Sequence, residues 1–136
     1  MKTRHLKTKL YLFLIIGLCL TSCDEEIVCD NFMQNLTNCS TQAWKVTISI
    51  MNGNSVTTEI NEIWRFNVDS TYIRTTVSGI HVFGYDNSHI WLGSTQIQAN
   101  TFTYTFSNNN TELEFVAQNT AAAPGSTIRR IKFVKQ

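Results

Sequence analysis

Beyond residue 22, the side chains able to hold a metal or move a proton gather at one place, His81, Asp86 and His89. A two-residue turn at Asp86-Asn87 would pair Gly84 with His89 and send the two histidines to opposite faces of a hairpin, because side chains alternate along a strand. A three-residue turn would put them on one face but about 13 Å apart, at roughly 3.3 Å per residue. Neither arrangement lets them share a metal, so loop-end histidines are the expectation. No Gly-x-Ser-x-Gly elbow, phosphate-cradling glycine loop, His-Glu-x-x-His or Cys-x-x-Cys occurs in the chain. Glu59 and Glu62, and Glu112 and Glu114, have the spacing of carboxylate pairs. The second pair alternates with Leu113 and Phe115 and is expected to face solvent. The strand pattern shows no buried acid or base, and no catalysis, metal or cofactor is expected.

The cysteines carry more information. The first ten residues contain Lys2, Arg4, Lys7 and Lys9 and no acid, and Leu10 to Leu20 is almost wholly apolar. That order is a secretory signal peptide. The apolar run is shorter than the about 20 residues a helix needs to cross a bilayer. It ends in Leu20-Thr21-Ser22-Cys23, which resembles the lipobox of bacterial lipoproteins, where the thiol is acylated and the peptide ahead of it is cut. The expectation is removal of residues 1–22 and a lipid-bearing Cys23, palmitate among its acyl chains, that anchors the protein to a membrane. Cys19 leaves with the leader, so Cys29 and Cys39 remain as thiols in an oxidising compartment, where an even pair is expected to form a disulfide.

Loss of the leader removes four of the eleven Lys and Arg and none of the ten Asp and Glu, leaving seven bases against ten acids, about −3. A nucleic-acid partner is not expected, since phosphate binding needs a concentrated positive field. The remaining length fits one domain. Residues 23–40 read as a lipidated tether and short helix, with apolar residues at Val28, Phe32, Met33 and Leu36 in helical spacing.

From Gln42 the period becomes two. Trp44, Val46, Ile48 and Ile50 alternate with polar residues as one dry face, and Asn52-Gly53 follows as a turn. Trp64, Phe66 and Val68 lead through Asp69-Ser70 into residues 71–77, and further runs lie at 79–85, 89–92, 101–107, 113–117 and 127–134. Residues 121–125, with the only proline, read as a loop. Eight short sequential strands suit a mainly β fold, an up-and-down antiparallel barrel over residues 41–136 that leaves no exposed edge.

Ala43-Trp44-Lys45-Val46, Asn52-Gly53, Ile63-Trp64-Arg65-Phe66-Asn67, Asp69-Ser70-Thr71-Tyr72 and Ile131-Lys132-Phe133 together resemble the small lipocalin-like lipoproteins of the Bacteroidota. Ser70 stands where that pattern usually has glycine. The resemblance implies a calycin-like barrel whose first-strand tryptophan plugs its base, and a binding protein rather than an enzyme. Asp24-Glu25-Glu26 resembles the export tag that takes some such lipoproteins to the cell surface, and reads equally as a plain spacer; the expected location is the outer membrane. Asp69-Ser70-Thr71 resembles the short O-glycosylation site of exported proteins in that phylum, with Ser70 as acceptor. Two functions follow as expectations. Trp44, Trp64, Phe66, Phe102, Tyr104 and Phe106 either enclose a small apolar ligand or simply fill the barrel. In the filled case, loops such as 79–93, with His81, Tyr85 and Trp91, would meet an envelope protein.

Overall fold

A computed structural model of the protein describes residues 29–118 and 128–136. Residues 1–28, which include the expected leader, the expected lipid site Cys23 and the acidic run 24–26, and residues 119–127, which include the expected loop 121–125, lie outside the described residues. The described chain begins with helix α1 (Asn31–Thr37) and continues into strands β1 (Thr41–Met51), β2 (Asn54–Ser55), β3 (Ile63–Asn67), β4 (Thr71–Arg74), β5 (His81–Tyr85), β6 (His89–Leu92), β7 (Thr101–Ser107), β8 (Glu112–Gln118) and β9 (Ile128–Lys135). Each strand pairs antiparallel with the next, except that β1 passes over its own two-residue arm β2 to pair with β3. β9 returns to β1, Trp44 opposite Lys135 and Met51 opposite Arg129, and the sheet closes. The result among the described residues is the eight-stranded up-and-down barrel expected from the sequence.

Alternating strand direction gives the barrel two distinct ends. α1, the turns 68–70, 86–88 and 108–111 and the C-terminus lie at the base; the β1–β2 turn and the segments 56–62, 75–80 and 93–100 lie at the opposite end, the mouth.

α1 starts at Asp30, whose carboxylate accepts the Met33 N–H at 2.8 Å, and stops at Asn38 in a left-handed conformation (φ 54°). Its buried side, Phe32, Met33 and Leu36, covers the base. The Trp44 indole N–H donates to the Leu36 carbonyl at 2.8 Å and satisfies one of the acceptors that a helix end leaves open. Cys29 and Cys39 form a disulfide across the helix, their Cα atoms 5.6 Å apart.

The β1 face departs from the expected alternation. A bulge between Val46 and Ile48 shifts the register against β9, and the inward side changes phase. Trp44 and Val46 are fully buried, but Ser49 follows them inward at 0% exposure while Ile48 is turned out at 40%. The turns fit their residues. Asn52 and Gly53 both have positive φ, 51° and 80°, as a tight hairpin with the sheet's twist requires. Asn108, Asn109 and Asn110 are all left-handed in the β7–β8 turn, and the Asn110 amide reaches Asn35 of α1 at 2.8 Å. Ser70 adopts φ 62°, so it takes the conformation that a glycine there would hold without strain.

Candidate functional site

The interior is layered. Nearest the base, Phe32 of α1 stacks on Tyr85 at 4.3 Å and meets Tyr104 at 4.5 Å, with Phe106 beside Trp44 at 6.1 Å. The Tyr85 hydroxyl donates to Asp30 at 3.0 Å, and burial together with that carboxylate pushes its pKa up. In the middle layer Phe66 meets Tyr72 and Phe83 at 5.5 Å each and Phe115 at 6.2 Å, while Phe133 sits 5.1 Å from Phe115 and 5.3 Å from Trp64. Phe102 packs on Phe115 at 5.8 Å. These separations are those of aromatic pairs in contact. Of the six aromatic residues expected inside, Trp44, Trp64, Phe66 and Phe102 are buried, and Tyr104 and Phe106 are half-buried against α1. Each is packed against another ring of the interior, Trp44 and Tyr104 on Phe106, Trp64 on Phe66 and Phe102 on Phe115, so a ligand among them would have to part them.

Above this core, toward the mouth, lies a charged layer that the strand pattern did not announce. Glu62, just ahead of β3, is 3% exposed. It points inward because it is two residues before Trp64 and shares its side of the strand. The sequence expectation of no buried acid is therefore corrected. Its carboxylate accepts from Arg74 Nε at 3.0 Å and Nη2 at 2.7 Å, from the Trp64 indole at 3.0 Å, and from the Thr76 backbone and hydroxyl. Burial alone would raise its pKa, but the hydrogen bonds from Arg74, Thr76 and Trp64, with the charge of Arg74, outweigh burial and hold it below the ordinary value. It is ionised and saturated with donors at neutral pH, the state of a structural anion and not of a general acid or base.

Glu59, in the short 3₁₀ turn Thr57–Glu59, completes the layer. It accepts from Ser49 at 2.5 Å and from Arg129 Nη2 at 2.6 Å, and stands 3.6 Å from Arg74. Ser49 reaches it only because of the β1 bulge. Arg129 of β9 shares the inward face of Ile131 and Phe133. The Arg74 guanidinium also lies 4.5 Å over the Trp64 ring. Two carboxylates and two guanidiniums thus cancel inside the mouth, each ion with more than one partner or a shared one.

The histidines separate as the alternation requires, though the turn lies one residue later than the sequence reading placed it. Tyr85 pairs with Ile90 and Asp86 N–H donates to the His89 carbonyl, so Asn87-Ser88 is the turn. His81 pairs with Tyr72 and faces in, its ring 5.2 Å from the tyrosine's, whereas His89 is on the outer side beside Asp86 at 3.3 Å. The Asp86 carboxylate takes the Ser88 and His89 backbone N–H groups, and those bonds lower its pKa. Glu112 and Glu114 lie on the outer face, Glu114 paired with Arg130 and Lys132. Trp91 lies on the outside over Gly84 of the neighbouring strand, and Tyr85 is drawn toward the base instead of into a loop. Ser70 is half-buried in the base turn; its own carbonyl accepts the Phe83 N–H, and the neighbouring Asp69 carboxylate accepts from Thr71.

Compared with protein-family models, with curated proteins and with solved structures, the chain matches none.

Proposed function

We propose that the protein is an envelope lipoprotein, anchored by a lipid on Cys23, whose lipocalin-like barrel binds without catalysis, and that its binding end is the mouth. Five residues lie between Cys23 and Cys29, six steps along the chain, so an extended tether reaches about 20 Å at most. The base, closed by α1 and the Cys29–Cys39 bridge, then lies next to the membrane. The mouth points away from it.

One observation carries this reading. Of the seven large apolar side chains exposed among the described residues, Met51, Val77, Ile80, Ile97 and Ile128 lie at the mouth, and the other two, Ile48 and Val82, lie on outer strand faces. Aliphatic side chains gathered at one end, around a core whose rings fill the barrel, are the signature of a contact surface more than of an enclosed apolar cavity. Photocrosslinking amino acids at Ile80 and Ile97, with Asn109 of the base as control, test it in intact cells. Adducts from the two mouth positions and none from Asn109 are expected. Adducts from Asn109 alone would overturn the reading.

A further inference from the structure

We propose that the mouth binds a neutral amphiphile head-first: a hydroxyl- or carbonyl-bearing head accepts hydrogen bonds from Arg129 and His81 inside the barrel, and an aliphatic part lies across the rim. The proposal names the ligand class for the binding end argued above and rests on that reading.

Among the described residues, two buried side-chain polar atoms have no hydrogen-bond partner, Arg129 Nε and His81 Nε2. Both side chains face inward at the mouth end. Arg129 Nε is a donor only, and His81 Nε2 donates in one tautomer. A buried donor without an acceptor is unfavourable, so each calls for an oxygen that the protein does not itself supply. The Tyr72 ring packs on His81 at 5.2 Å.

The charge pattern decides what kind of oxygen. Glu59 and Glu62 are matched by Arg74 and Arg129, so a carboxylate or an ammonium entering this layer would be an unmatched charge in a partly desolvated place. The surrounding sequence offers no field to attract one. Among the described connections at the mouth, residues 52–62, 75–80 and 93–100, the only charged side chains are Glu59 and Glu62, the two already matched by Arg74 and Arg129. A neutral head satisfies the two donors without that cost. Outside it, Ile80, Ile97 and Ile128, at 75%, 54% and 53% exposure, give an aliphatic part something to cover.

Three probes that share a six-carbon chain and differ in the head test this: hexyl β-glucoside, hexanoate and hexylammonium, titrated calorimetrically into the mature lipidated chain in nanodiscs, with empty nanodiscs subtracted. Hexyl β-glucoside is expected to bind at least tenfold more tightly than either ion, and to shift the Arg129 Nε–H resonance. Arg129→Lys keeps the charge toward Glu59 and removes that N–H, and should weaken binding about tenfold; His81→Phe is the second variant, should the first fail to fold. Equal affinity for the three probes, no saturable binding, or an unmoved Nε–H resonance would overturn the proposal. Crosslinks at Ile80 and Ile97 that persist in that event leave the mouth as the binding end, and their loss removes both readings.

Discussion

Glu62 and Arg74 meet side-on inside the barrel, the carboxylate taking Nε at 3.0 Å and Nη2 at 2.7 Å, with the Glu62 side chain wholly shielded from water and the Arg74 side chain 18% exposed. Such a pair adds little stability when intact but costs much when one member is removed, because the other is left in a place that cannot solvate it. Arg74 also needs the pair to stay over Trp64. The layer therefore fixes the geometry of the mouth.

Glu62→Gln should lower stability by roughly 2–3 kcal/mol, toward the lower side of the cost of breaking a buried pair because Arg74 is partly wet. The pH dependence follows from the sign of the shift. The folded-state pKa of Glu62 lies below its unfolded value, so the ion's contribution is complete above the ordinary glutamate range, about 4.3, and fades as pH falls through the lower folded value. Urea midpoints from pH 7 down to pH 3 should show an acid loss in the wild type that is shallower in Glu62→Gln. Parallel pH profiles would show that Glu62 is not the group responsible.

The sequence disclosed the eight strands because each is a period-two run between turn residues, while a base plugged by Trp44 came only from the resemblance to the lipocalin-like lipoproteins. It did not disclose the β1 bulge, since Ile48 and Ile50 continue the apolar rhythm that the backbone breaks at Thr47; only the pairing with β9 imposes the shift. Glu62 was hidden by the irregular segment before β3, yet the spacing Glu62-x-Trp64-x-Phe66 held a usable signal. The same parity places Arg74 with Tyr72, and Arg129 with Ile131 and Phe133. What the pattern could not supply was their convergence, which depends on barrel closure and on a 3₁₀ turn that brings Glu59 between two arginines.

Ser70→Gly should stabilise the protein by up to about 1 kcal/mol, since a side chain in the left-handed region costs roughly 1–2 kcal/mol and the freer unfolded glycine returns part of that. Thermal unfolding of the two forms checks it. A lower melting temperature for the variant would mean that the serine side chain, and not its backbone angle, governs this turn.

Replacing Cys29 and Cys39 together by alanine removes a link with a sequence separation of 10. The chain-entropy estimate for so short a loop is about 3 kcal/mol, and denaturant unfolding should show a loss of 2–3 kcal/mol, with α1 exchanging its amide hydrogens first. A change below about 0.5 kcal/mol would mean that the base is held by Phe32, Leu36 and the Trp44 hydrogen bond alone.

Gly84→Ala should also be destabilising, by about 1–2 kcal/mol, because an added methyl would run into the Trp91 ring that lies across this position. The double variant Gly84→Ala, Trp91→Val should recover most of the loss. Failure of the second substitution to help would point to the backbone of β5 instead.

Fatty-acid labelling addresses the anchor. An alkyne-tagged palmitate should mark the wild-type chain in cells and not Cys23→Ala, which should persist as the uncut precursor. Label on the variant would remove the lipoprotein reading.

That the membrane anchor and the binding end occupy opposite ends of one barrel is the central claim, and the distance of each end from a bilayer tests it most directly. Fluorophores placed at Asn109 or at Ser78 of the lipidated protein, in vesicles with quencher-bearing lipid headgroups, report the two ends; β1, eleven residues long, separates them by about 25 Å at roughly 3.3 Å per residue and a barrel tilt near 40°. Strong quenching at Asn109 with little at Ser78 is the expected result. Equal quenching at both positions, or stronger quenching at Ser78, would contradict it.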